Sequence, residues 1–95
     1  MDVKDNKTKS FSLKGCNPSP TSGVVNINFE VMEPGNTTIE AFDLAGRKVS
    51  SIFNQFTEAG VHMATWKTSS FSAGTYVIRL THNEETITTK ILITN

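Results

Sequence analysis

"VVNINFEVM", residues 24–32, alternates strictly from Val25 to Val31. Val25, Ile27, Phe29 and Val31 fall on one side of an extended chain, and Asn26, Asn28 and Glu30 fall on the other. Successive side chains of a strand point to opposite faces, so this spacing predicts a half-buried strand, apolar inward and polar outward. No helical period competes with it here or elsewhere in the chain. A strand of this kind is one wall of a sandwich.

Working outward, "EPGN" (33–36) predicts a turn in which Pro34 fixes φ and Gly35 is free to take positive φ. "TTIEAFDL" (37–44) then carries Ile39 and Ala41 on one face, and "RKVSSIF" (47–53) heads back. "EAG" (58–60) turns the chain into "VHMATW" (61–66), and "SSFSAG" (69–74) leads into "TYVIRLTH" (75–82), whose Tyr76, Ile78 and Leu80 share a face. Asn83-Glu84 turns once more before "TITTKILI" (86–93), with Ile87, Thr89, Ile91 and Ile93 in register. A weaker further strand lies at "KSFSLKG" (9–15), and the Pro-rich "NPSPTSG" makes residues 16–23 a lead-in loop. Short strands joined by turns at this spacing predict an all-β fold, an Ig-like antiparallel β-sandwich of about seven strands. Val, Ile and Thr make up 27 of the 95 residues, and their branched side chains suit a pleated surface.

The length suits one domain with one core. Nine basic residues balance nine acidic ones, so the clustered positive field of a nucleic-acid binder is missing. Lys4, Lys7, Lys9 and Lys14 outnumber Asp2 and Asp5 at the start, which reads as a solvated segment. No apolar run approaches the roughly 20 residues that cross a bilayer, and residues 1–14 lack the apolar centre of a signal peptide. Cys16 is the only cysteine, so no internal disulfide can form.

Catalytic chemistry is thinly represented. In "AFDLAGRKVSS" (41–51) Asp43, Gly46 and Arg47 crowd together between two β-prone runs. A hairpin accounts for them: Gly46 takes a left-handed conformation, Asp43 accepts backbone amides, and Arg47 pairs with Asp43 or a neighbouring strand. His62, expected on an exposed strand face, and His82, expected near a turn, show no metal-ligand spacing. Glu84 and Glu85 are adjacent and so face opposite sides, and no nucleophile elbow or phosphate loop occurs. Trp66 with Tyr76 could form a sugar-stacking platform, but Trp66 closing one end of the core is the simpler reading. No enzyme activity, metal or cofactor is expected.

The chain resembles the C-terminal sorting domain of proteins exported by the type IX secretion system of Bacteroidetes, over about residues 16–95. The lead-in "NPSPTSG" and the alternating strand come first. An Asp-x-x-Gly-Arg-x-Val hairpin follows at Asp43, Gly46, Arg47 and Val49. A Gly-x-His…Trp segment is met by Gly60, His62 and Trp66, and Gly-x-Tyr followed by Arg-Leu by Gly74, Tyr76, Arg79 and Leu80. A Lys followed by apolar residues closes the chain at Lys90, Ile91, Leu92 and Ile93. The proline spacing in "CNPSP" and Phe71, where Leu is more usual, depart from the pattern.

That resemblance implies an address label on a larger cargo, exported through the periplasm to the cell surface or medium. An outer-membrane translocon would recognise it and a sortase-like protease would remove it. Residues 1–15 would be upstream linker or cargo, Met1 an expression start and Asn95 the native end. Recognition is expected at Gly74, Tyr76, Arg79, Lys90, Ile91, Leu92 and Ile93, with the edge of the last strands open to a partner strand. Lys90 would supply charge while Ile91 and Ile93 fill the core. No nucleic acid or membrane insertion is expected, and the domain should be a monomer or weak dimer. The alternative is a carbohydrate-binding or adhesive Ig-like module of a secreted enzyme, which would display an exposed aromatic row including Trp66.

Overall fold

The computed structural model describes residues 10–18 and 20–95; the lysines at positions 4, 7 and 9 lie outside the described residues. The elements are β1 (Phe11–Asn17), β2 (Val24–Val31), β3 (Gly35–Phe42), β4 (Lys48–Thr57), β5 (Gly60–Lys67), β6 (Gly74–His82) and β7 (Glu85–Ile93). They form two antiparallel sheets, ordered β1-β2-β5 and β4-β3-β6-β7. The chain crosses between sheets after β2, β4 and β5, giving the expected all-β sandwich. In an immunoglobulin constant-type domain the fourth strand joins the sheet of the first two. Here β4 stays beside β3, and the four-stranded sheet gains breadth from it.

The alternation in residues 24–32 sets the core. Val25, Ile27, Phe29 and Val31 are at most 1% exposed. The facing sheet supplies Ile39, Ala41, Ile78, Leu80, Ile91 and Ile93, all buried. Each large side chain removed from water in this way contributes about 1.5–3 kcal/mol. The seventh strand proves to be β1, whose Phe11 is buried in the same core. Because β1 continues through Cys16 and Asn17, the lead-in loop begins at Pro18, after a cis peptide bond, rather than at residue 16.

The two ends of the sandwich are closed differently. At one, Trp66 packs on Phe71 and Tyr76 with ring centres 5.1 and 6.1 Å away. The Tyr76 hydroxyl donates to the Ser72 carbonyl at 2.8 Å, a tyrosine corner at the start of β6. At the other end His82 is fully buried, near a turn as expected but part of the core. A carbonyl only accepts, so His82 Nε2–H donates to Glu33 O at 2.7 Å. Nδ1 then accepts from the Thr37 hydroxyl at 2.7 Å.

Two local expectations are corrected. His62 does not lie on an exposed face: it shares the inward side with Ala64 and Trp66, stacks on Phe29 and donates to the Glu58 carbonyl at 2.6 Å. It is only half-buried because β5 is an edge strand. Gly35 does not take positive φ; that conformation falls to Asn83, at φ 55° in the β6–β7 turn. Gly35 is needed because the Asn83 side chain occupies the space a Cβ would take.

Ile78 and Leu92 provide a contrast in burial. Ile78→Ala is expected to lower the unfolding free energy by about 2–5 kcal/mol in a urea titration. Leu92→Ala, at a side chain 43% exposed, should stay within about 0.5 kcal/mol. Equal losses at the two positions would contradict the inward and outward assignment.

Candidate docking site

The β3–β4 hairpin is organised by one carboxylate. Asp43 Oδ1 accepts from the amides of Ala45 (2.9 Å) and Arg47 (3.0 Å), and Oδ2 from Arg47 Nε at 3.0 Å. Asp43 N–H donates to the Arg47 carbonyl, and Gly46 N–H to the Asp43 carbonyl. Gly46 sits at φ 89°, where a side chain would be strained. The amide and side chain of Arg47 hold the Asp43 carboxyl below its ordinary value, against a smaller opposing effect of desolvation. Asp43 and Arg47 are thereby consumed by the turn, as the hairpin reading expects.

This turn overhangs the outer face of the four-stranded sheet. The register aligns Phe42 with Val77 and Val77 with Lys90, and in the next row Glu40 with Arg79 and Arg79 with Thr88. Arg79 Nη2 donates to Glu40 Oε1 at 2.8 Å while its guanidinium lies 4.5 Å from the centre of the Phe42 ring. Lys48 Nζ reaches the other Glu40 oxygen at 3.3 Å. The Arg79 hydrogen bond, then Lys48, hold the Glu40 carboxyl below its usual value despite partial desolvation. On the strands, three cations, Lys48, Arg79 and Lys90, share this face with the Glu40 carboxylate, while Asp43 at its rim is paired with Arg47.

Between the hairpin and the sheet lies a shallow groove of about 360 Å³, lined by Phe42, Asp43, Leu44, Gly46, Val77, Arg79 and Thr88. The turn motif and the last two strands, separate in sequence, therefore meet at one place. Leu44 projects at its rim, 68% exposed.

The residues expected to serve recognition divide in two. Tyr76, Ile91 and Ile93 are buried, and Gly74, opposite Ile93 at the start of β6, is half-buried. These four shape the frame. Arg79, Lys90 and Leu92 reach solvent. Sequence reading missed Phe42, Leu44, Val77 and Thr88 as groove walls. An apolar Leu within a polar turn was the one available signal.

β7 is one edge of the four-stranded sheet, and β4 is the other. The far end of β7 is paired: Thr21 N–H donates to the Leu92 carbonyl, and Thr94 N–H donates to the Thr21 carbonyl. The exposed aromatic row that a sugar-binding module would display around Trp66 is not there, since Trp66 and Tyr76 are 4% and 8% exposed. His62 and His82 belong to different sheets, and among the described residues no group of His, Cys, Asp or Glu is placed to hold a metal. Cys16 is half-buried, and burial pushes its thiol pKa up.

The family model for the secretion system C-terminal sorting domain matches residues 16–94. No curated protein and no solved structure matches the chain.

The lowered carboxyl values set a pH dependence. A group with a lowered folded-state pKa adds stability above its ordinary value, about 4 for Asp, and loses it as pH falls through the folded-state value. Asp43→Asn should therefore lower Tm at neutral pH, with the gap to wild type closing as pH falls below about 4. A gap unchanged down to about pH 2 would contradict this account of the hairpin.

Proposed function

The chain belongs to the secretion system C-terminal sorting domain family, and we propose that the outer face of its four-stranded sheet is where the outer-membrane translocon recognises the exported protein. The domain is a type IX sorting signal, and it directs export to the cell surface or extracellular space. Its family acts as a signal and not as a catalyst. In this proposal the translocon binds the groove and its rim, and a sortase-like protease then separates the domain from its cargo.

One observation carries the reading: the hairpin bearing Asp43, Gly46 and Arg47 shares a groove with Arg79 and Thr88 of the last two strands. A partner side chain entering between Phe42 and Val77 would contribute about 1.5–3 kcal/mol by leaving water. Arg79, Lys48 and Lys90 at the rim would add register and association rate more than affinity. Tyr76, Ile91 and Ile93 serve recognition indirectly by holding β6 and β7 in place.

The test uses a fluorescent passenger joined upstream of Ser10, because a junction at Cys16 would delete Phe11 from the core. In a type IX host the wild-type fusion should reach the medium. Leu44→Asp, at an exposed position, should leave the Tm of the isolated domain unchanged yet hold the passenger in the periplasm. Normal export of both Leu44→Asp and Val77→Asp would overturn the reading.

A further inference from the structure

Resting on the docking reading above, we propose that the partner supplies an extended segment that adds as a strand to the edge of β7 between Thr86 and Lys90. This segment would carry a large apolar residue beside Thr88 and an acidic residue two positions away, beside Lys90.

Backbone polarity along β7 is the first ground. In an antiparallel ladder, alternate residues bond to the neighbouring strand and the intervening ones turn outward. The Leu92 carbonyl and Thr94 amide both turn outward to Thr21, so the even-numbered positions face away from β6. Thr86, Thr88 and Lys90 share that parity. Among the described residues no backbone group bonds to them from outside. Such an edge is a template for another strand. It is bounded at one end by Thr21 and the prolines before it, and at the other by the Asn83-Glu84 turn.

The second ground is Thr88, which belongs both to this edge and to the wall of the groove. A strand laid beside β7 would place an outward side chain next to Thr88, in the row of Arg79, from where a long apolar group leans over Thr88 into the near end of the groove. Strand addition draws affinity from main-chain bonds and specificity from pockets for alternate side chains, and here the two features adjoin. Charge supplies the third ground. Lys90 is exposed in the row of Val77, on a face whose carboxylates, Glu40 and Asp43, are already paired with Lys48, Arg79 and Arg47. An opposite charge directly across from Lys90 is the favourable cross-strand partner.

A second copy of this chain fits less well. A two-fold centred on Thr88 would set each Lys90 against Thr86 of the other copy, leaving both lysines without a carboxylate. It would also drive each Thr21 segment, paired at Leu92 and Thr94, toward the other copy's Asn83-Glu84 turn.

Proline scanning of β7 in the passenger fusion tests this, because proline is tolerated where an edge N–H faces solvent and disrupts where the N–H is in the ladder. Thr88→Pro and Lys90→Pro should fold, with Tm measured on the isolated domain, and should cut export about tenfold or more. Lys90→Glu should cut export by a similar factor. Folded proline variants exported at the wild-type rate would overturn strand addition. If Leu44→Asp were still blocked in that case, the docking reading itself would survive. Unfolding by both prolines would overturn the assignment of outward amides. A wild-type dimer that Thr88→Pro turns into a monomer would assign the edge to a second copy and overturn the acidic partner.

Discussion

Ile39, Ile78 and Leu80 pack against the inward row of β2, and that contact fixes the parity of the whole four-stranded sheet. A strand presents every second side chain to each face, so a slip of one residue would exchange its two faces. With Ile39 inward, Glu40 and Phe42 must face out. With Ile78 and Leu80 inward, Val77 and Arg79 must face out, and with Ile91 and Ile93 inward, Thr88 and Lys90 must too. The proposed docking face is thus the complement of the core. Its chemistry could not change register without turning charge into the interior, where an unpaired charge is costly.

Much of this was legible in the amino-acid sequence. Alternation in residues 24–32, 75–82 and 86–93 is a local property, and the strands followed it. The Asp43–Gly46–Arg47 turn was legible too, because short polar side chains and glycine impose their own geometry within a few residues. Burial of Trp66 followed from the small core that a disulfide-free domain of this size can build. The resemblance to the sorting-domain family rested on ordered short motifs, and the family match over residues 16–94 agrees with it.

What escaped sequence reading depends on strand neighbours. Nothing local says that β3 lies between β4 and β6, yet this order brings the 43–47 turn over Val77 and Thr88. His62 was misplaced because its exposure depends on β5 being an edge, which is a tertiary fact. Gly35 was assigned a conformational role when its constraint is the Asn83 side chain, 48 positions on in the chain. His82 was placed by its turn, whereas its partners Thr37 and Glu33 come from another hairpin arm. The motif residues consequently mix two duties. Tyr76, Ile91 and Ile93 hold the scaffold, while Arg79 and Lys90 reach solvent on the proposed docking face.

Hydrogen exchange of the domain, alone and bound to purified translocon, addresses the central claim most directly. Amides that face solvent at a sheet edge exchange quickly until a partner covers them. The account predicts that binding slows exchange at Leu44, Thr86, Thr88 and Lys90 and leaves Val61 and Met63, on the other sheet, unchanged. Protection confined to Val61 and Met63 would place recognition on the three-stranded sheet and contradict it.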